Sequence, residues 1–209
     1  SSRALTDLPP KLLHCHNVQY HSAAFTRLLC DPRLTDRIAC LIGPNIQLHH
    51  TKLFIKPPEQ GAPFPLHQDY PYFPHAKHTM LAAIFFFEDT PVERGCLCVI
   101  PGSHKLGPLP HIPEGGWHLP LEQYPLEAAV PIPVEAGDVV VFNYLTIHGS
   151  GVNRTQEART TLLVERAADL AAAREAASVG VVLAESQNVA RRLSNEPPNL
   201  LTPEALARE

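Results

Sequence analysis

Residues 46–55 read IQLHHTKLFI, and in this stretch two sets of side chains alternate along the chain. Ile46, Leu48 and the residues that follow at every second position share one side, while their neighbours share the other. A period of two is the pattern of a β-strand. The pair Pro57-Pro58 ends the strand, because proline cannot donate to a sheet ladder. The stretch therefore predicts a strand and a change from helix to sheet near residue 46.

Short apolar runs separated by proline and glycine turns continue this pattern further along the chain. Further strands are predicted at 79–87, 95–100, 130–134, 139–142 and 159–164. The run at 79–87 is almost entirely apolar, as expected for a strand that is buried on both faces. The chain has 22 prolines among 209 residues, which suits a fold with many turns. These features predict an all-β core, arranged as a sandwich or a barrel.

The two ends of the chain differ from this core. Residues 23–29 and 34–42 carry apolar side chains at helical spacing within an otherwise irregular segment, and Gly43 follows them. Near residue 165 the composition shifts, since residues 167–185 are rich in alanine, lack proline and favour a helix. We therefore predict a domain at 1–165 and a helical extension at 166–209.

Composition and charge narrow the functional classes. Hydrophobic residues make up 44% of the chain, which is typical of a folded domain. The net charge of −4 gives no reason to expect a nucleic-acid partner, and no apolar run is long enough to span a membrane. The first residues lack the pattern of a secretory signal peptide. We expect an intracellular location, cytoplasmic by default, with the peroxisome left open.

Two histidines and one aspartate form a candidate metal site. His67 and Asp69 are two residues apart, and side chains at this spacing on a strand point the same way. His148 follows the strand predicted at 139–142, so a folded sheet can bring it to the same ion. Two histidines and one carboxylate are the ligand set of non-heme Fe(II) oxygenases. The alternative for the pair alone is an exposed loop without a ligand.

A basic residue that could bind a carboxylate follows the three candidate metal ligands. Arg159 lies eleven residues after His148, in a predicted strand. An oxygenase that uses 2-oxoglutarate must hold its C5 carboxylate, and the planar guanidinium does this with two hydrogen bonds. Ser150 can add a hydroxyl group to the same carboxylate. The alternative for Arg159 is a surface position on an edge strand.

Several motifs together resemble the phytanoyl-CoA hydroxylase (dioxygenase) family. The resemblance covers about residues 11–164, continues in register to Arg159, and rests on these segments: Gly43-Pro44-Asn45-Ile46, Ile55-Lys56-Pro57-Pro58, Leu66-His67-Gln68-Asp69, Tyr72-Phe73-Pro74, the run from Gly95 to Lys105, and Ile147-His148-Gly149-Ser150-Gly151.

The resemblance implies a double-stranded β-helix, also called a jelly roll, with N-terminal helices. It implies an Fe(II)- and 2-oxoglutarate-dependent dioxygenase that uses O2, with ascorbate as an optional cofactor. The metal ligands would be His67, Asp69 and His148. The residues implied to contact cosubstrate or substrate are Arg159, Ser150, Lys11, Lys52 and Gln68. The implied reaction is hydroxylation of a small organic substrate, for which an acyl-CoA hydroxylated at C2 is one candidate.

The C-terminal segment does not resemble the end of this family. Residues 188–207 are similar to the linker and first helix that precede the catalytic domain in the leucyl aminopeptidase family, without its metal ligands or catalytic residues. A peptidase is therefore the weakest of three hypotheses. The second is a metal-binding β-helix module without turnover, and production of succinate would separate it from the oxygenase.

Overall fold

A computed structural model describes residues 13–58, 61–75 and 77–167. Two α-helices near the start confirm the helical spacing, α1 at Ala23–Leu29 and α2 at Pro32–Ile42. The side chain of Asp31 accepts a hydrogen bond from the backbone N–H of Arg33 at 2.9 Å and so caps α2, and Pro32 occupies its first turn. No helix in these ranges is long and apolar enough to cross a membrane.

Strands make up most of the remaining fold. In chain order they are β1 (Leu13–His16), β2 (Gln47–Lys56), β3 (Phe64–His67), β4 (Leu81–Phe86), β5 (Leu97–Val99), β6 (Val130–Ile132), β7 (Val139–Asn143), β8 (His148–Ser150) and β9 (Arg159–Ala167). All six predicted strands are present. The prediction gave no bounds for three further strands: β1, which it placed in a helical and irregular segment, β3 and β8. All three are short, and each is stabilised by pairing with a strand distant in the sequence rather than by a local pattern.

The strands form two antiparallel sheets with interleaved connections. The order is β1-β2-β9-β4-β7 in the five-stranded sheet and β3-β8-β5-β6 in the four-stranded sheet. Consecutive strands from β2 onward mostly alternate between the sheets, which is the winding of a double-stranded β-helix. The predicted jelly-roll fold is confirmed. The last strand, β9, lies between β2 and β4 in the centre of its sheet.

The central strands of the five-stranded sheet, β4 and β9, are buried on both faces. On one face, α1 and α2 pack against alternate residues of β4 and β9, where Ile38 of α2 meets Leu162 and Val164 in one apolar cluster. The opposite face, which carries Arg159, Thr161 and Leu163, turns toward the four-stranded sheet. This double burial explains why residues 79–87 are apolar at nearly every position.

The end of β9 lies close to the predicted domain boundary, which stays a prediction. The strand continues to Ala167, two residues past the predicted boundary at 165. The buried Arg166 donates a hydrogen bond from Nη2 to the backbone carbonyl of Leu29 and so joins β9 to α1. The rest of the predicted helical extension, with its resemblance to aminopeptidases, lies outside the described residues.

Candidate metal centre

His67 and His148 lie side by side because their strands pair. They are register partners at the meeting point of β3 and β8. The Nδ1 atom of each ring lies within hydrogen-bond distance of a backbone carbonyl, 2.8 Å from Pro65 O for His67 and 2.9 Å from Thr146 O for His148. A proton on Nδ1 leaves Nε2 free as a ligand. Burial lowers the pKa of both imidazoles to about 4, so they are neutral at neutral pH, as metal binding requires.

The carboxylate of Asp69 completes the set. Its Oδ1 atom lies 3.8 Å from Nε2 of His67 and 3.6 Å from Nε2 of His148, and the three ligand atoms lie within 4.8 Å of one another. The strand-face explanation for this pair was wrong, because β3 ends at His67. Asp69 is held beyond the strand end by a hydrogen bond from its backbone N–H to Tyr144 O at 2.9 Å.

The aspartate carries a further mark of a metal ligand. Its Oδ2 atom is buried and has no hydrogen-bond partner within the described part of the chain. Burial raises the pKa of Asp69 to about 6, which reflects the cost of an uncompensated carboxylate in this position. A divalent cation would remove that cost. Two neutral imidazoles and one carboxylate therefore fit Fe(II) in both donor type and charge.

The three ligands open onto a cavity of about 410 Å³ between the two sheets. Its walls include aromatic and aliphatic side chains, among them Phe73, Ile84, Trp117 and Leu163. Both Arg159 and Ser150 also line it, as the sequence predicted, together with Lys52. A mostly apolar cavity with a few convergent polar groups is the usual form of a small-molecule site.

Arg159 is buried, with 5% of its surface exposed, so it is not the surface residue of the alternative interpretation. Its Nη1 donates to the backbone carbonyl of Gly95, while its Nε has no partner among the residues that the structure describes. Burial lowers the pKa of Arg159 to about 10, and the guanidinium is still charged at neutral pH. A buried cation with unused donors is suited to an anionic ligand.

The other residues predicted to contact cosubstrate or substrate are Lys52, Gln68 and Lys11. Lys52 lies 4.7 Å above the ring of Phe54, at the cavity wall. Gln68 is fully buried, and its Nε2 donates to Gly107 O and Leu145 O, while its Oε1 accepts from the backbone N–H of Leu109. These bonds use both donors of the amide, and a cosubstrate contact of Gln68 stays a prediction. Lys11 lies outside the described residues.

Two buried residues were missed from the sequence. Lys56, at the end of β2, donates from Nζ to Ser150 Oγ at 2.7 Å and to Gly151 O at 2.6 Å. Glu165 of β9 is fully buried, and within the described ranges both its carboxyl oxygens lack a hydrogen-bond partner. A single lysine or glutamate in a strand does not stand out in a sequence, because these residues are usually exposed.

Residues 13–161 match the family described as Phytanoyl-CoA dioxygenase, and the match includes every predicted ligand and Arg159. The chain belongs to the phytanoyl-CoA dioxygenase family. It is 40% identical over 143 residues to the peroxisomal phytanoyl-CoA dioxygenase of Rattus norvegicus, which corresponds to 63% of this chain and 42% of the relative. It therefore spans about two-fifths of the length of that relative.

The chain is also similar, at lower identity, to a bacterial dioxygenase and to an enzyme of known structure. A probable alpha-ketoglutarate-dependent hypophosphite dioxygenase of Stutzerimonas stutzeri is 30% identical over 168 residues, or 75% of this chain and 57% of the relative. The crystal structure of the epimerase SnoN, in complex with Fe3+, alpha ketoglutarate and nogalamycin RO, superposes with a TM-score of 0.63 at 30% identity. That superposition covers 75% of this chain and 63% of SnoN.

Proposed function

We propose that this chain is the oxygenase domain of an Fe(II)- and 2-oxoglutarate-dependent dioxygenase. The observation that carries the proposal is the convergence of His67, Asp69 and His148 at a cavity whose wall also holds the buried Arg159. These three ligands would hold the metal and leave positions free for cosubstrate and O2. Bound Fe(II) would supply the redox chemistry in which 2-oxoglutarate and O2 yield succinate, CO2 and a hydroxylated substrate.

The protein contributes binding and orientation to this chemistry. The guanidinium of Arg159 holds the C5 carboxylate of 2-oxoglutarate, with the hydroxyl group of Ser150 beside it, and this fixes the distance of the 2-oxo acid end from the ligands. The Nδ1 bonds of both histidines keep their rings oriented toward the metal. The apolar walls of the cavity limit water around the reacting groups.

The substrate is a small organic molecule bound beside the metal. An acyl-CoA hydroxylated at C2 is the first candidate, supported by the name of the Rattus norvegicus relative. The relative from Stutzerimonas stutzeri is named for hypophosphite, so family membership alone does not select the substrate. The apolar cavity walls favour a substrate with a hydrocarbon part over a small inorganic anion.

The first experiment tests metal and cosubstrate binding. Under anaerobic conditions, we expect each chain to bind one Fe(II) ion. Addition of 2-oxoglutarate should then produce the visible charge-transfer band of a chelated 2-oxo acid. Replacing Asp69 with Ala removes the anionic ligand and should abolish the band. The exposed Asp36 on α2 provides a matched control, since Asp36→Ala should keep it. Equal iron affinity of Asp69→Ala and the parent would refute the ligand assignment.

The second experiment tests turnover. After O2 is added, the oxygenase should release succinate from 2-oxoglutarate, at a rate that rises when an accepted substrate is present. A panel of acyl-CoA thioesters and the corresponding free acids would test the substrate class. A protein that binds Fe(II) and 2-oxoglutarate but releases no succinate with any of them would be a metal-binding module without turnover.

A further inference from the structure

A buried lysine lies directly behind the cosubstrate end of the cavity. Lys56 is fully buried, and it is the register partner of Arg159 where β2 pairs with β9. Its Nζ atom donates to Ser150 Oγ at 2.7 Å and lies 5.2 Å above the ring of Phe64. The cavity is lined by Ser150 and Arg159, whereas Lys56 stands behind them.

Lys56 and Arg159 form a pair of buried basic groups without a carboxylate partner among the described residues, although the thiols of Cys96 and Cys98 act electrostatically on both. In the described part of the chain, neither residue takes part in an ion pair. The carboxylate that acts electrostatically on Arg159 belongs to Glu88, which accepts a hydrogen bond from the backbone N–H of Thr160 instead. Buried charges are normally paired. The buried charge of Arg159, with a second basic group beside it and no carboxylate of the described ranges paired to either, therefore indicates that an anionic ligand completes this end of the cavity.

The hydrogen-bond chemistry of the lysine sets the orientation of the serine hydroxyl. Burial, followed by the charge of Arg159, lowers the pKa of Lys56 to about 6, and a bound carboxylate favours the protonated form. An ammonium group can only donate hydrogen bonds. When Lys56 donates to Ser150 Oγ, the O–H of the serine is left for another acceptor. The acceptor available on the cavity side is the carboxylate of the ligand.

We infer that Lys56 is a positioning residue, which acts through Ser150 to make this end of the cavity selective for a 2-oxo acid with a distal carboxylate. The inference rests on the proposed function and extends it, because it assigns cosubstrate selectivity to a residue that does not line the cavity. The charge of Lys56 also adds to that of Arg159, so the subsite discriminates against 2-oxo acids that lack the second carboxylate.

Two ligands separate this role from a purely structural one. Both 2-oxoglutarate and 2-oxobutyrate chelate a metal through the 2-oxo acid group, but only 2-oxoglutarate has a distal carboxylate. The affinity of Fe(II)-loaded protein for each is measured anaerobically from the charge-transfer band. Lys56→Met keeps the length of the side chain and removes its donors. We expect it to weaken 2-oxoglutarate binding by about 10- to 100-fold and to leave 2-oxobutyrate binding unchanged.

A double-mutant cycle tests the route through the serine. If Lys56 acts through Ser150, the double variant Lys56→Met/Ser150→Ala should bind 2-oxoglutarate only slightly more weakly than the poorer single variant. Fully additive losses would refute this route. Lys105→Met, at an exposed position, is the matched control and should bind both ligands like the parent. Thermal melting establishes that each variant is folded, and Lys56→Gln replaces Lys56→Met if the latter is not.

The possible failures can be told apart. Equal losses for both ligands would assign Lys56 a structural role, and no loss for either would remove it from the site, so both results overturn the inference. If the parent itself binds 2-oxobutyrate as tightly as 2-oxoglutarate, the carboxylate subsite is refuted while the metal site stands. If the parent binds Fe(II) but neither 2-oxo acid, the proposed function fails, and the inference fails with it.

Discussion

Replacing the buried Glu165 with glutamine should stabilise the metal-free protein, and increasingly so at higher pH. Burial raises the pKa of Glu165 to about 10 from its ordinary value of 4.5, with the charge of Asp69 as the second cause, while Lys52 acts in the opposite direction. The folded protein therefore keeps this carboxyl group protonated at neutral pH, whereas the unfolded chain ionises it. The contribution of Glu165 to the free energy of unfolding is complete below pH 4.5 and is lost as the pH rises toward 10.

The size of the stabilisation follows from the difference between the pKa of Glu165 in the folded protein and its pKa in the unfolded chain. Each pH unit above 4.5 costs the folded state about 1.4 kcal/mol, which amounts to about 3 kcal/mol at pH 7 if the carboxyl group were wholly shielded from solvent. Water penetration and relaxation reduce this value, so we expect Glu165→Gln to gain about 1–2 kcal/mol at pH 7. For a domain of this size, such a gain raises the melting temperature by about 2–8 °C.

Urea denaturation of the metal-free protein at pH 5 and pH 8 measures the effect. The gain of Glu165→Gln over the parent should be small at pH 5 and larger at pH 8, since the amide does not ionise. Glu122→Gln, at an exposed position, is the control and should show no such trend. A variant that is less stable than the parent at pH 8 would show that Glu165 is ionised and paired, for which Lys52 is the available cation.

Three further predictions concern the site and its supports. Arg159→Leu should weaken 2-oxoglutarate binding by about 2–5 kcal/mol, because a buried charge-assisted contact is lost. Calorimetry measures the affinity, and an unchanged value, or an equal loss in the control Arg154→Leu, would contradict the prediction. Gly149→Ala places a Cβ atom 2.6 Å from a backbone carbonyl of the neighbouring strand, so this variant should have a lower melting temperature and weaker iron binding. Gly151→Ala is the control, because its Cβ atom would have no atom nearer than 4.0 Å, and it should change neither property. A chain ending at Ala167 should bind Fe(II) and 2-oxoglutarate like the full chain, and loss of binding in a folded truncated protein would show that later residues complete the site.

The long strands and the main site residues could be predicted because their patterns are local. Alternation along residues 46–55 is the period of a strand, and continuous apolarity along 79–87 follows from the burial of β4 on both faces. The spacing of His67, Asp69, His148 and Arg159 pointed to one site, and the structure brings all four to one cavity. Their roles in binding remain predictions.

The features that were missed depend on tertiary contacts. The three-residue strand β8 contains a glycine and has no pattern of its own, yet it pairs with both β3 and β5. Its Gly149 is required because β3 passes too close for a side chain. The buried state of Lys56 depends on Ser150 and Gly151, more than ninety residues away. A single sequence without a fold cannot show such partners.

The central position of β9 has a consequence for the order in which the protein folds. Because β9 lies between β2 and β4, these two strands each have an unpaired edge until the chain has been synthesised past Ala167. The pairing of β2 with β9 joins residues more than one hundred positions apart, and closing so long a loop is slow. During this time, the open edges are exposed to other nascent chains. We therefore expect the pairings of β9 with β2 and β4 to form late in folding, so that Arg159 reaches the cavity in the same late step.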